Sequence, residues 1–181
     1  MNKFTFYTEK NASAEVQAIF SDIQKTYGFI PNLFAYMAEA PTTIKAYLEL
    51  NKLIEKTSFT TAQQQVALMA ASVENGCDFC TTAHHAIGKM KQANEQTLKA
   101  LNAQTTIDDA QDKVLVDFVQ LVVKKRGRLS SDDINKFLDA GFTKQQILEV
   151  MLIVSIKTLS NYINHLTHPE PNPELLTIIA N

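Results

Sequence analysis

Cys77 and Cys80 are the chain's two cysteines, and they stand as C-x-x-C in the stretch VENGCDFCTTAHHAI, residues 73–87. His84 follows Cys80 by four residues. If a helix starts near Cys77, positions i and i+4 share a face, and the His84 imidazole can reach the Cys80 sulfur. The partial positive charge of a helix N-terminus favours thiolate over thiol. A thiolate, a second thiol one turn away and an imidazole beside it suffice for dithiol–disulfide chemistry. Two buried, inert cysteines with a surface histidine are the plain alternative. The C-x-x-C spacing with histidine on the same face favours redox or metal chemistry.

These residues need elements to hold them. The chain has 181 residues, 45% of them hydrophobic, enough for one domain with a full core. Net charge is −2 and the pI is about 6.1, which gives no sign of a nucleic-acid partner or an anionic membrane. No uninterrupted apolar run reaches the roughly 18 residues of a membrane span. The start, MNKFTFYTEKNASAE, lacks the apolar core of a signal peptide. A cytoplasmic location is therefore expected, where a cysteine pair is catalytic or metal-binding rather than a staple. Five glycines and five prolines are few for a loop-rich or all-β chain.

Helical spacing recurs along the whole chain. Helices are expected over Ala14–Tyr27, ended by Gly28, over Leu33–Glu39 after Pro31, and over Thr43–Lys56. Thr60 and Gln63 form a T-x-x-Q capping pattern that opens an alanine-rich helix to about Glu74, expected as the central core helix. Gly76 breaks it, and the helix with the cysteines begins. Helices follow over Asn94–Leu101, Asp108–Arg126 and Ser130–Ala140. The basic run Lys124, Lys125, Arg126 and Arg128 is read as complementing a helix C-terminus rather than as a nucleic-acid patch. Thr143 with Gln146 repeats the cap and opens a helix of about twenty residues to Leu166. The tail PEPNPELLTIIAN is expected to be irregular, with at most one last turn. No strand pattern appears, so the expected fold is an all-α single domain over 1–181. Phe59-Thr60…Gln63…Ser72 echoes Phe142-Thr143…Gln146…Ser155 at one constant offset, as a duplicated helical unit would. That offset sets Cys77 against Ser160 and Phe79 against Tyr162.

The sequence resembles the carboxymuconolactone decarboxylase and alkylhydroperoxidase-D (AhpD)-like superfamily, closest to its peroxidase-related branch. GFIPNLF, QQVALMAASVENGCDFCTTAHH, RGRLS and LSNYINHL carry the resemblance, which spans most of the chain. It implies an AhpD-like helical bundle, a homo-oligomer (dimer, trimer or hexamer), and a dithiol that reduces peroxides or disulfides. By that pattern Cys80 is the attacking thiol, Cys77 the resolving one and His84 the relay histidine. The family's relay glutamate on the preceding helix is replaced by Gln65, which can hydrogen-bond but not carry a proton. Phe79 stands where the alkylhydroperoxidase has a histidine. Glu74 is a substitute candidate for the missing carboxylate, with an exposed helix-end role as its alternative. Asp78 would oppose a nearby thiolate.

The expected function is that of a thiol-dependent, alkylhydroperoxidase-like antioxidant enzyme. His84 takes the Cys80 proton, the thiolate attacks a small hydroperoxide, and Cys77 closes a disulfide that an external dithiol reduces. No cofactor is expected, since no glycine-rich phosphate loop occurs. His85 points away from His84 and is read as surface or interface; Tyr162 and His165 are read as core or interface, with the cleft as the alternative. Three other functions stay open: a Cys₂His₂ zinc site using the pairs His84-His85 and His165…His168, cofactor-free decarboxylase or lactone chemistry, and an inert helical scaffold.

Overall fold

The computed structural model describes residues 3–180. Met1, Asn2 and Asn181 lie outside it, and with them the two ends of the stretches read above. All regular structure among the described residues is helical, in ten helices. Their order is α1 (Ala14–Tyr27), α2 (Asn32–Met37), α3 (Pro41–Ile54), α4 (Thr61–Glu74) and α5 (Asp78–Met90). Then come α6 (Glu95–Ala103), α7 (Ala110–Lys125), α8 (Ser131–Asp139), α9 (Lys144–Thr167) and α10 (Pro173–Ala180).

The local signals explain most boundaries. Gly28 ends α1 in the left-handed region, at φ 80°, where only glycine is free of steric cost. Both T-x-x-Q patterns are complete capping boxes, at Thr60/Gln63 and Thr143/Gln146. Helix α3 starts two residues before the expected Thr43, because Pro41 occupies the first helical position, where its missing N–H costs nothing. Lys125 bonds Asp133 at 2.6 Å, so the basic run is partly paired within the chain.

The tail needs a correction. Pro173 opens an eight-residue helix, α10, rather than a single turn. The same proline geometry that blocks a helix interior preorganises a helix start. Asn172 fixes the approach: its Oδ1 accepts from the Asn32 backbone N–H at 2.9 Å. Helix α10 then packs along α5.

Helix α4 is the core helix, packed against α5, α6, α7 and α9. Val66, Ala67, Met69, Ala70 and Ala71 on it are at most 1% exposed. One apolar cluster runs from Val16 to Ile156. Gly88 lets α5 approach α6: a Cβ there would meet Leu98 Cδ2 at 2.9 Å. Leu98 is fully buried and has little room to yield. Gly88→Val is therefore expected to destabilise the fold by about 1–3 kcal/mol, read as a lower denaturant midpoint at unchanged slope.

Helix α9 has 24 residues, longer than expected. By length and composition alone it could cross a membrane, with mean hydropathy 1.2 over its best window, which counting uninterrupted apolar residues did not reveal. It packs against α2, α3, α4, α5 and α7. It also qualifies the internal echo. The caps match, and Phe59 lies 6.2 Å from Phe142, centroid to centroid. Yet α9 runs unbroken through Ser160, where the first unit breaks at Gly76 and Cys77.

Candidate functional site

Gly76, at φ 68°, turns the chain out of α4. Cys77 follows as the N-cap of α5, and Cys80 lies in that helix's first turn. The two sulfurs are 3.5 Å apart as free thiols. Cys77 is 3% exposed and Cys80 2%. The first turn of α5 also brings the helix's partial positive charge to Cys80.

The opposing wall is α9. Lys157, Ser160, Asn161 and Asn164 recur at helical spacing on its inward face and are 0–4% exposed. Asn164 Nδ2 donates to Cys80 Sγ at 3.1 Å and to Cys77 Sγ at 3.6 Å. Ser160 Oγ lies 3.9 Å from Cys80 Sγ. Lys157 sits 2.9 Å, Nζ to Nε2, from His84 and is near enough to Cys80 for its charge to favour the thiolate. On the other side of the ring, His84 Nδ1 is 3.0 Å from Gln65 Oε1.

These contacts fix the protonation pattern. Gln65 Oε1 accepts only, so His84 carries its proton on Nδ1, and Nε2 accepts from the Lys157 ammonium. Burial, then the Lys157 charge, pushes His84 well below the ordinary histidine value, so the imidazole is neutral. The Cys77 thiol, which donates to Cys80, and then the Lys157 ammonium outweigh burial and hold Cys80 well below the ordinary thiol value. Cys77 moves the opposite way: its bond to Cys80, burial and the Cys80 charge all raise it. Burial alone would lower Lys157, but the Cys80 thiolate keeps the ammonium protonated and raises it. A buried ammonium needs such a counter-charge. The arrangement is a buried Cys80 sulfur whose surroundings favour the thiolate, near the Lys157 ammonium, with the Cys77 thiol in contact.

The sequence-based candidates divide accordingly. Cys77, Cys80, His84 and Gln65 come together. The direct His84–Cys80 contact expected from i, i+4 spacing is replaced by a lysine bridge, since both ring nitrogens are engaged elsewhere. Glu74 does not join them; it is half-buried at the end of α4 and lines a separate cavity with Val73, Gln104, Lys113 and Asp117. Asp78 is exposed. His85 is buried, not on the surface, and its Nε2 finds no partner among the described residues. Tyr162 is 57% exposed and so not core; it stacks against the exposed His165. The Cys₂His₂ zinc alternative fails on geometry: both His84 nitrogens are used, and among the described residues no three His, Cys, Asp or Glu side chains converge.

Lys157 was missed. Its signal was present: it is the one Lys, Arg, Asp or Glu between Val150 and Thr167. It also shares a helical face with Val150, Ile153 and Ser160, a face that should be buried.

Two cavities open beside the dithiol. One, of about 170 Å³, lies between α5 and the end of α6 and is lined by Cys77, Thr81 and Leu101. The other, a cleft of about 470 Å³, is lined by Cys77, Phe79, Asn164, His165, His168 and Glu170, among others. Cys77 lines both, and Cys80 lines neither.

Comparison with known proteins bears on the fold. Residues 41–123 match the carboxymuconolactone decarboxylase family. No curated protein matches the chain. A peroxidase-related protein from Ralstonia eutropha JMP134, described as an alkylhydroperoxidase AhpD core, superimposes with a TM-score of 0.84. It is 19% identical, over 96% of this chain and 93% of that one. A peroxidase-related protein from Silicibacter sp. TM1040 gives 0.81 at 18% identity, over 96% and 92%. The debrominase Bmp8, solved as a cysteine-to-alanine variant with 2,3,4-tribromopyrrole, gives 0.80 at 16% identity, over 99% and 97%. The fold is AhpD-like.

Proposed function

We propose that this chain, whose residues 41–123 belong to the carboxymuconolactone decarboxylase family within an AhpD-like fold, is a thiol-dependent alkylhydroperoxidase-like enzyme. The reading rests on one observation: Cys77 and Cys80 lie 3.5 Å apart and buried, beside the buried Lys157, whose charge favours the Cys80 thiolate. A thiol whose surroundings favour the thiolate, beside a second thiol, has little use in an inert scaffold. Decarboxylation or lactone chemistry would leave the pair unused.

Cys80 thiolate attacks the distal oxygen of a small hydroperoxide. The O–O bond breaks, the sulfur becomes a sulfenic acid, and the alkoxide takes a proton from Lys157. Cys77 then attacks the sulfenic sulfur; its proton leaves with the hydroxyl as water, and a disulfide forms. An external dithiol restores both thiols, and Lys157 recovers its proton. His84 holds Lys157 on the sulfur by accepting one of its three N–H bonds. Gln65 in turn fixes the His84 tautomer. The cytoplasm would keep the resting pair reduced.

Mild oxidation by one equivalent of hydroperoxide should yield the alcohol and a two-hydrogen loss localised to the Cys77–Cys80 peptide. A hydroperoxide left unconsumed by the reduced protein would defeat the reading. Debromination, the reaction named for one structural neighbour, would begin from the same thiolate, and turnover of a bromopyrrole rather than a hydroperoxide would favour it.

The expected partner of the chain is a second copy. Leu148, Leu152, Ser155, Leu159, Tyr162 and Leu166 alternate by four and three along the outer face of α9, the spacing of a coiled-coil seam. Leu148, Tyr162 and Leu166 are 71%, 57% and 62% exposed. One small residue at the centre, Ser155, and large ones at both ends suit a two-fold pairing of this helix with itself. A dimer is expected ahead of a trimer or hexamer. Light scattering at micromolar concentration should give a multiple of 20.2 kDa, and Tyr162→Glu with Leu166→Glu should reduce it to one chain.

A further inference from the structure

Asn164 addresses both sulfurs with one amide nitrogen. It sits in the last turn of α9, where its carbonyl accepts the His168 N–H at 2.8 Å and closes the helix. Its side chain is buried, with Nδ2 3.1 Å from Cys80 Sγ and 3.6 Å from Cys77 Sγ. An amide nitrogen carries two hydrogens, so each sulfur can take one. Asn164 Oδ1 is buried and has no partner among the described residues. The oxygen therefore does not set how the amide is turned; the sulfurs do. The reverse orientation would put an acceptor against the sulfurs and leave both N–H donors buried without them, which low dielectric makes costly. Ser160, the neutral hydroxyl beside Cys80, spends its hydrogen on the Lys157 carbonyl 3.3 Å away.

We propose that Asn164 stabilises the reduced pair over its disulfide and so sets the reduction potential of Cys77 and Cys80. The inference rests on the thiol chemistry proposed above and gives a role in it to a residue far outside the C-x-x-C segment. Oxidation takes one proton from Cys77 and two electrons from the two sulfurs, and a bond forms between them. The electrons go to the hydroperoxide, which leaves as alcohol and water with the Cys77 proton and one from Lys157. Before the reaction the amide donates to a thiolate and a thiol. Afterwards it faces two neutral disulfide sulfurs, which are weak acceptors. Hydrogen bonds to an ionised acceptor are roughly twice as strong as neutral ones. The amide therefore favours the reduced state, and a couple whose reduced form is stabilised has the higher potential.

Leucine has nearly the shape of asparagine and no donor. Asn164→Leu should make the pair easier to oxidise and Cys80 harder to ionise. The two shifts go together, because the same N–H bond to the thiolate is lost in both. A residue that only fills space would move neither.

The test uses the full-length protein, wild type and Asn164→Leu. Each is equilibrated in graded mixtures of reduced and oxidised dithiothreitol, quenched with acid and alkylated, and the dithiol fraction is read by mass. The expected result is a midpoint that needs about tenfold more reduced over oxidised buffer in the variant, or about 30 mV lower potential. The thiolate ultraviolet titration should move to higher pH in the same protein. A lowered denaturant midpoint with potential and titration unmoved marks a packing role and overturns the proposal. If Asn164→Leu does not fold, the wild type decides. In isotope-labelled protein the Asn164 side-chain N–H signals should move upfield when oxidised dithiothreitol closes the disulfide, and signals that stay in place overturn the proposal. Hydroperoxide plays no part in these measurements, so a pair that equilibrates but consumes no hydroperoxide defeats the proposed function alone.

Discussion

Cys80→Ser is expected to abolish hydroperoxide turnover, and Cys77→Ser to permit one attack and then stop. Ser160 and Thr81 are the nearest hydroxyls by sequence and packing, and an alcohol has no thiolate-like form near neutral pH. In Cys80→Ser the remaining Cys77 also has no ammonium partner among its hydrogen bonds, which run to Cys80 and Asn164. It should consume no peroxide at a useful rate. In Cys77→Ser the Lys157 ammonium still holds Cys80 as thiolate, so one equivalent of peroxide is consumed. The sulfenic acid then finds no thiol within reach and persists until dimedone traps it or excess peroxide drives it to the sulfinic acid. A single burst of alcohol, equal to the enzyme present, is the readout. Continued turnover by Cys80→Ser would reassign the nucleophile to Cys77. Continued turnover by Cys77→Ser would mean that an external thiol resolves the sulfenic acid directly.

Those two variants test the part of the site that was legible in the sequence. C-x-x-C with a following histidine is local information: one helix start and one turn carry it. The resemblance put Gln65 on the helix before the cysteines, and it lies 3.0 Å from His84 because α4 and α5 are consecutive and pack closely. The misses came from distance along the chain. Lys157 and Asn164 lie eighty or so residues from the cysteines, and helical spacing alone does not say which face of α9 meets α5. The same limit applied to Glu74. Its closeness to Cys77 in sequence suggested contact, but Gly76 reverses the chain between them and sends the carboxylate to another cavity. For α10 the misreading was of proline itself, a helix breaker inside but a helix starter at the first position. Nine of the ten helices, the two capping boxes and the central place of α4 were readable, because caps and apolar periodicity are local and the core follows from them.

Lys157→Met should raise the Cys80 pKa and cut peroxide reduction by a factor of about 10²–10⁴. An ordinary thiol with a pKa of about 8.5 is roughly 3% thiolate at neutral pH, which alone costs about thirtyfold. Burial without a counter-charge raises the pKa further, and the alkoxide leaving group also loses its acid. The rate should then climb with pH through the alkaline range, while the wild-type rate stays flat there. Thiolate ultraviolet absorbance titrated against pH reads the same shift without turnover. Stability should move little, because a methionine of similar volume removes a buried charge whose thiolate partner can become neutral. The sign of the pH effect on folding follows from the same pair. Cys80 is depressed in the folded state, so its contribution is present above the unfolded thiol pKa and is lost as pH falls through the folded one. That acid-side loss should vanish in Lys157→Met. His84→Ala separates the lysine bridge from the direct relay expected at first. A direct relay requires the Cys80 pKa to rise in this variant as it does in Lys157→Met. The bridge predicts that the thiolate survives, because Lys157 still faces it, and that the loss appears in the rate as a less well-held acid. Gln65→Glu completes the series. A carboxylate against Nδ1 makes Nε2 a stronger acceptor and lets the imidazole share the proton that Lys157 delivers. Activity should rise if proton return to Lys157 limits turnover. If it stays the same while Lys157→Met is severe, the chemistry ends at the ammonium, and His84 with Gln65 serves only to aim it.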